Sequence, residues 1–378
     1  MVMDNRSAGP WQEEEYEGYE PLRITDIKIH MLKEGGSLAD KKDGLLRIIT
    51  EDGIEGWSNM IDPVTARFIT EKFREHLIGR DAMARERIWH DMFMLERLTW
   101  PPKGLRGAID IALWDIAGKR LGIPVWKLLG GCCDKVGAYR TQSGTMGPEG
   151  LQKDHFLEFA LMVKEQGYLG SKDHCYAGPK FMIELAGELR EAVGPDFYLM
   201  HDAVGYYNLK EAIRVGRALE EQGYLWYEEP LRDHDFRGLK QICDVLDIPI
   251  VTGEYFPHHF NSYAQMLALG AADAIKPMIH TGGITEIVKL ANLTHALGAS
   301  MHVSAHDHMW GFSSVQANGA IENTVLLEVH PPFEFHTNEA IRNPLKLKDG
   351  YVHMPEGPGL GVDLDWDIIE DLTEEVVE

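Results

Sequence analysis

The sequence predicts an α/β chain in which a barrel of parallel strands, with its site at one rim, follows an N-terminal α+β domain. Three observations carry this. From residue 136 onward, short β-rich runs alternate with helix-like segments, the order of parallel βαβ units. Three of those runs end in a carboxylate, Asp202, Glu228 and Glu254, each 26 residues from the last. Between them, residues 209–222 and 236–246 repeat apolar side chains every three or four positions. If the units close into a barrel, every strand ends at one rim and the three carboxylates converge there. The competing reading is three unrelated acids at strand ends, and equal spacing in equal strand contexts weighs against it.

The whole chain sets the bounds. Its 378 residues suffice for one large domain or two moderate ones, and 44% hydrophobic residues is ordinary for a globular protein. There is no apolar run long enough to span a membrane and no basic-then-apolar leader. Cys132, Cys133, Cys175 and Cys243 show no Cys-x-x-Cys pattern, so neither a disulfide framework nor a zinc site is expected. The expectation is a cytoplasmic protein. A net charge of −23 argues against nucleic acid or an anionic membrane as partner. The acidic runs at residues 13–15 and 370–378 are expected to be solvated surface.

Taken in order, residues 1–20 are polar and read as a flexible arm. Residues 21–131 read as the α+β domain. In it, 22–32 alternates like a strand, and 45–50 pairs across Glu-Asp-Gly with a strand reaching Trp57. Residues 35–44 form a loop long enough to reach over a site, and helical periodicity governs 64–77, 82–98 and the segment after Trp100-Pro-Pro. Residues 132–339 carry the barrel. Its strands are expected at 137–142, 168–172, the three carboxylate runs, 272–278, 300–305 and 324–327. After Glu328 the chain turns to Pro/Gly-rich loops.

The chemistry follows from the residue types. Three converging anions raise one another's pKa unless a cation sits among them. Oxygen-only ligands suit a hard octahedral ion, and Mg2+ is the expected cofactor. A proton beside a carboxylate, the substrate group implied by the family resemblance given below, is very weakly acidic, and a divalent ion stabilises the enediolate formed by its removal. A base is then required. Lys172 and His174 end the second barrel strand two residues apart, so both can point inward. His174, with a pKa near neutrality, suits proton abstraction.

Four stretches resemble the enolase superfamily, and within it the mandelate racemase-like branch of sugar-acid dehydratases and racemases. They are Gly107-Ala-Ile-Asp-Ile-Ala-Leu-Trp-Asp-Ile-Ala-Gly-Lys119, the three carboxylate runs, Ile279-His-Thr-Gly-Gly-Ile-Thr-Glu286, and Asp349-Gly-Tyr-Val with its following Gly-Pro-Gly-Leu-Gly. The resemblance implies a modified (β/α)7β, TIM-type barrel. An α+β capping domain would cover it, completed by residues 340–378, with 35–44 as the capping loop. It implies one Mg2+ per subunit on Asp202, Glu228 and Glu254, a small-molecule carboxylate substrate, and a homo-oligomer. The family usually has Lys-x-Lys where this chain has Lys172-Asp-His174, the first lysine neutralising the substrate carboxylate.

On the seventh strand, alignment by Ser-Ala-His favours His306 as the family's histidine, and the interval back from Glu328 favours His308. His306 is preferred, His308 is kept as a substrate contact, and His302 is expected to be a satisfied core histidine. Glu328 matches a family carboxyl that hydrogen-bonds the developing enediolate. The sixth strand departs from the family, with Lys276-Pro-Met278 in place of an aspartate that orients the histidine. Lys276 is expected to project inward, toward substrate or a ligand carboxylate. Val204 stands where D-mannonate and D-galactonate dehydratases use a histidine. His280 and Trp57 complete the expected substrate contacts. The expected activity is dehydration of a sugar acid to a 2-keto-3-deoxy acid, with a racemase, epimerase or cycloisomerase as the alternative.

Overall fold

The computed structural model describes residues 18–33, 44–142, 152–175, 177–254, 260–304, 311–330 and 340–378. The expected loop at 35–44, apart from Gly44, and the expected flexible arm, apart from residues 18–20, lie outside them. So do His306 and His308.

Strands β1 (Ile24–Leu32), β2 (Gly44–Thr50) and β3 (Glu55–Ile61) form an antiparallel meander. The tight turn before β3 uses Gly53 at φ 76°, a conformation that costs a glycine nothing. Ile27, Ile29, Leu46 and Ile48 all turn inward, the period-2 pattern of a half-buried sheet. They pack on the helix Leu105–Leu121, whose Ala108, Ile109, Ala112 and Ile116 belong to the same core. Strand and helix lie so close that a Cβ on Gly56 would stand 2.0 Å from the Ala112 carbonyl oxygen. The C-terminal strand Thr373–Val377 pairs antiparallel with β1 on the outer side of this sheet.

The barrel comprises β4 (Lys135–Thr141), β5 (Gly170–Asp173), β6 (Tyr198–Asp202), β7 (Trp226–Glu228), β8 (Ile250–Thr252), β9 (Ala274–Ile275), β10 (Ser300–Met301) and β11 (Leu327–Val329). Each of β4 to β9 pairs in parallel with the next, and β11 pairs in parallel with β4. The Met301 N–H donates to the Asn323 carbonyl, tying β10 to the segment that leads into β11. Tyr139, Met200, Trp226, Val251 and Ala274 form a common interior cluster. The intervening helices cover the outside. Leu209–Glu221 buries Ala212, Val215, Gly216 and Leu219 on one face and starts with a capping box from Asn208 and Glu211.

The expected eighth strand at 324–327 is corrected to Leu327–Val329, so Glu328 lies inside the strand. The sixth and seventh strands are shorter than the expected 272–278 and 300–305: Pro277 has no N–H for the ladder, and beyond it only the Met278–Ser304 bridge continues the pairing among the described residues. Part of the C-terminal segment also differs. The hairpin Leu347–Lys348 and Tyr351–His353 adds antiparallel to β4, so this stretch extends the barrel sheet rather than the capping sheet.

One helix joins the two halves. Leu105–Leu121 is buried on nearly every side, so its charged residues must be paired. Arg106 lies 3.0 Å from Glu96 and 2.7 Å from Glu286. Asp110 accepts from the Thr285 hydroxyl at 2.6 Å and the Thr285 N–H at 2.9 Å. The facing helix Ile279–Ala296 kinks at Gly283, φ 77°, where a Cβ would lie 2.3 Å from the Asp110 carboxylate.

Candidate active site and metal centre

Register builds the site. Asp202 on β6 is the direct cross-strand partner of Glu228 on β7, and Glu254 follows two residues after β8. A slip of one residue would turn Asp202 out toward the helices. All three carboxylates are buried, and one oxygen from each lies within 4.8 Å of the others. Neighbouring groups hold them. The Trp226 indole donates to Glu228 Oε2 at 3.0 Å, the Ser304 hydroxyl to Glu254 Oε1 at 2.8 Å, and the Val204 N–H to Asp202 Oδ1 at 2.9 Å. Val204 does so at φ 48°, a strained conformation for a β-branched residue.

Two ammonium groups stand among the acids. Lys172 Nζ is 3.2 Å from Asp202 Oδ2, 2.7 Å from Glu228 Oε1 and 2.9 Å from Glu328 Oε1. Lys276 Nζ is 2.6 Å from the same Glu228 oxygen, 3.4 Å from Glu254 Oε2 and 2.9 Å from Glu328 Oε2. The Thr141 hydroxyl donates to Glu328 Oε1 at 2.6 Å. Burial alone would raise the Glu328 carboxyl, but Lys172 and Lys276 outweigh it and hold it well below the usual range. Burial pushes Glu228 up to about 7 even with both lysines beside it. Four carboxylates, Asp202, Glu228, Glu254 and Glu328, stand against Lys172, Lys276 and His174, so the described cations do not balance the cluster. A divalent cation with oxygen preference fits both the donor set and the missing charge.

His174 lies at the edge of this cluster. Its Nδ1 is 2.7 Å from the Gln142 carbonyl oxygen and its Nε2 is 3.0 Å from Asp202 Oδ2. A carbonyl and a carboxylate only accept, so both ring nitrogens carry protons in this arrangement. Burial lowers the pKa of His174, but the Asp202 carboxylate outweighs it and the net direction is up. The Gln142 carbonyl fixes the Nδ1 proton, which leaves Nε2 as the nitrogen that exchanges one.

Lys172, His174, Lys276 and Glu328 thus meet the three acids in one buried cluster. Two expected substrate contacts lie elsewhere. Trp57 is buried against Trp366, with ring centroids 4.6 Å apart, and its N–H donates to Asp115. His280 begins the helix Ile279–Ala296, where its ring edge and carbonyl abut Gly104 and Gly107 at the joint between the halves. Both are packing positions, set by apolar area and close backbone approach. Glu229 is buried at φ 42°, its carboxyl pushed well up by burial and then by Asp202 and Asp233.

Four supports were not evident from the sequence: Thr141, the Gln142 carbonyl, Trp226 and Ser304. Only Trp226 left a signal, since it precedes Glu228 by two on a strand and shares its face. His302 is corrected from a satisfied core histidine. It packs on Trp226 at 4.5 Å between ring centroids, and its Nδ1 has no partner among the described residues. Burial, then Lys276 and Lys172, push its pKa down to about 3. Between pH 6.5 and 3 the unfolded chain binds a proton there that the native state does not, so stability is lost on acidification. Wild type should lose unfolding free energy from pH 6.5 to 4 more steeply than His302→Leu, by up to about 1.4 kcal/mol per pH unit. Parallel denaturation curves would show that folded His302 takes up the proton.

Residues 155–368 match the family model described as enolase C-terminal domain-like. Residues 35–130 match the mandelate racemase / muconate lactonizing enzyme N-terminal domain. The chain belongs to this family. Its fold is accordingly the modified (β/α)7β, TIM-type barrel of the enolase superfamily under an N-terminal α+β capping domain. D-galactarolactone cycloisomerase of Agrobacterium fabrum is 29% identical over 382 residues, 92% of this chain and 98% of that protein. L-rhamnonate dehydratase of Saccharopolyspora erythraea is 30% identical, covering 85% of this chain and 82% of that one. The crystal structure of D-glucarate dehydratase from Agrobacterium tumefaciens complexed with magnesium superposes with a TM-score of 0.84 at 30% identity. It covers 94% of this chain and 100% of that chain. Among the described residues, no helix of this family member is long and apolar enough to cross a membrane.

Proposed function

We propose that this protein is a Mg2+-dependent lyase that dehydrates a sugar acid, an aldonate or aldarate, to a 2-keto-3-deoxy acid. The observation that carries this is the convergence of Asp202, Glu228 and Glu254 with Lys172 and His174 in one buried cluster. The named dehydratases among its relatives agree in reaction class.

Asp202, Glu228 and Glu254 would hold the ion. When bound, Mg2+ supplies the positive charge that stabilises an enediolate and takes up the charge of Asp202 that otherwise keeps His174 protonated. Lys172 offsets the charge of the substrate carboxylate. His174 Nε2 accepts the α proton, while the C–H electron pair becomes the enediolate double bond. That pair then expels the β-hydroxyl, which leaves as water with a proton from His306, and the resulting enol becomes the ketone. Glu328 is held as a carboxylate, so it can accept but not donate a hydrogen bond. Its part is to orient Lys172 and Lys276.

A cycloisomerase is the second reading, favoured by the near full-length match to D-galactarolactone cycloisomerase. Incubation with a panel of aldonates, aldarates and their lactones in the presence of Mg2+ separates the two. The expected result is a 2-keto-3-deoxy product from at least one open-chain acid. Ring opening or closure of a lactone with no such product would select the cycloisomerase.

A further inference from the structure

Lys276 is a buried cation to which the reaction above gives no direct step. It follows β9 immediately and, like Lys172, is almost wholly buried. Its ammonium lies against two of the three triad carboxylates, Glu228 at 2.6 Å and Glu254 at 3.4 Å. Glu228 Oε1 is also shared with Lys172 at 2.7 Å. A divalent ion on those oxygens would stand one carboxylate away from a fixed positive charge in a water-poor interior, where like charges are weakly screened.

A second partner decides how Lys276 acts. Its ammonium is also 2.9 Å from Glu328 Oε2, an oxygen outside the triad. Glu328 in turn is anchored by Lys172 and by the Thr141 hydroxyl, a partner outside the triad. The ammonium therefore has an anion to rest on when the triad oxygens turn to a metal, and triad anions to hold together when they do not. We propose that Lys276 is an internal counter-cation of the metal centre: it keeps Glu228 and Glu254 together in the metal-free protein and lowers the affinity of the triad for its ion. This rests on the reading that the triad holds Mg2+. Glu328 tunes the effect by drawing the ammonium away from the ligands.

The two residues make opposite predictions. Binding is measured on the full chain by calorimetry for Mg2+ and by the free-ion electron spin resonance signal for Mn2+. Lys276→Met should lower Kd at least tenfold, about 1.4 kcal/mol. It should also lower the metal-free melting temperature and enlarge the rise that Mg2+ produces. Glu328→Gln should raise Kd at least threefold, because the ammonium then has only triad carboxylates to pair with. A folded Lys276→Met with equal or weaker affinity, alongside an Asp202→Asn that has lost binding, overturns this inference alone. If Lys276→Met does not fold, an unchanged or tighter Kd in Glu328→Gln overturns it. Wild type binding neither ion, or Asp202→Asn binding as tightly as wild type, overturns the metal assignment and this inference with it.

Discussion

Glu228→Gln is expected to abolish turnover while leaving the chain folded. Glu228 stands between Asp202 and Glu254 in strand order, with Lys172 and Lys276 on Oε1 and the Trp226 indole on Oε2. The amide removes the central anion of the triad, and with it the metal-held charge that an enediolate needs. Several kcal/mol of transition-state stabilisation is at stake, so kcat/KM should fall at least about 10^3-fold. Asp202→Asn and Glu254→Gln should fall comparably. Circular dichroism should change little, since Lys172 and Lys276 keep Glu328 as a partner. The check is steady-state kinetics across a Mg2+ series. Wild-type activity in any one of the three variants would remove that residue from the metal centre.

What was legible in the sequence was what periodicity and spacing encode. The three carboxylates stood at strand ends at one interval, and the structure brings them within ligand distance of one another. Lys172 and His174, two apart, both reach Asp202. Lys276 was expected to point inward, and it does, but its simultaneous hold on Glu228, Glu254 and Glu328 depends on the register of four strands. No local pattern carries that. The Gln142 carbonyl on His174 is a backbone contact, and any residue at 142 would supply it. Trp57 and His280 do not join the described cluster, for one reason. Aromatic and imidazole groups near a rim read alike whether they face a substrate or a neighbouring helix, and here a close interdomain joint claims His280 while Trp366 covers Trp57. The eighth strand was placed three residues early because Thr324 and Val325 are strand-favouring residues in a loop that only tertiary pairing to β4 leaves out.

The second large effect concerns proton handling. His174→Asn should stop both dehydration and exchange of the α proton. An amide cannot take that proton, and no later step occurs without its removal. General acid or base groups contribute roughly 10^2–10^4-fold, so activity should fall within that range or below detection. The Asn amide can still donate to the Gln142 carbonyl that His174 Nδ1 meets, which keeps the loss chemical rather than structural. His306→Asn differs in kind. If His306 donates the proton to the departing hydroxyl, its loss blocks dehydration but leaves abstraction by His174 intact. If dehydration persists in full, His308 takes the acid role.

Proton NMR of His306→Asn, incubated in D2O with Mg2+ and an acid sugar that wild type dehydrates, tests the account most directly. The account predicts that the recovered substrate gains deuterium at its α carbon while no keto product forms, and that His174→Asn shows neither. Recovered substrate that keeps its α hydrogen in His306→Asn would contradict it, because abstraction would then belong to His306 and not to His174.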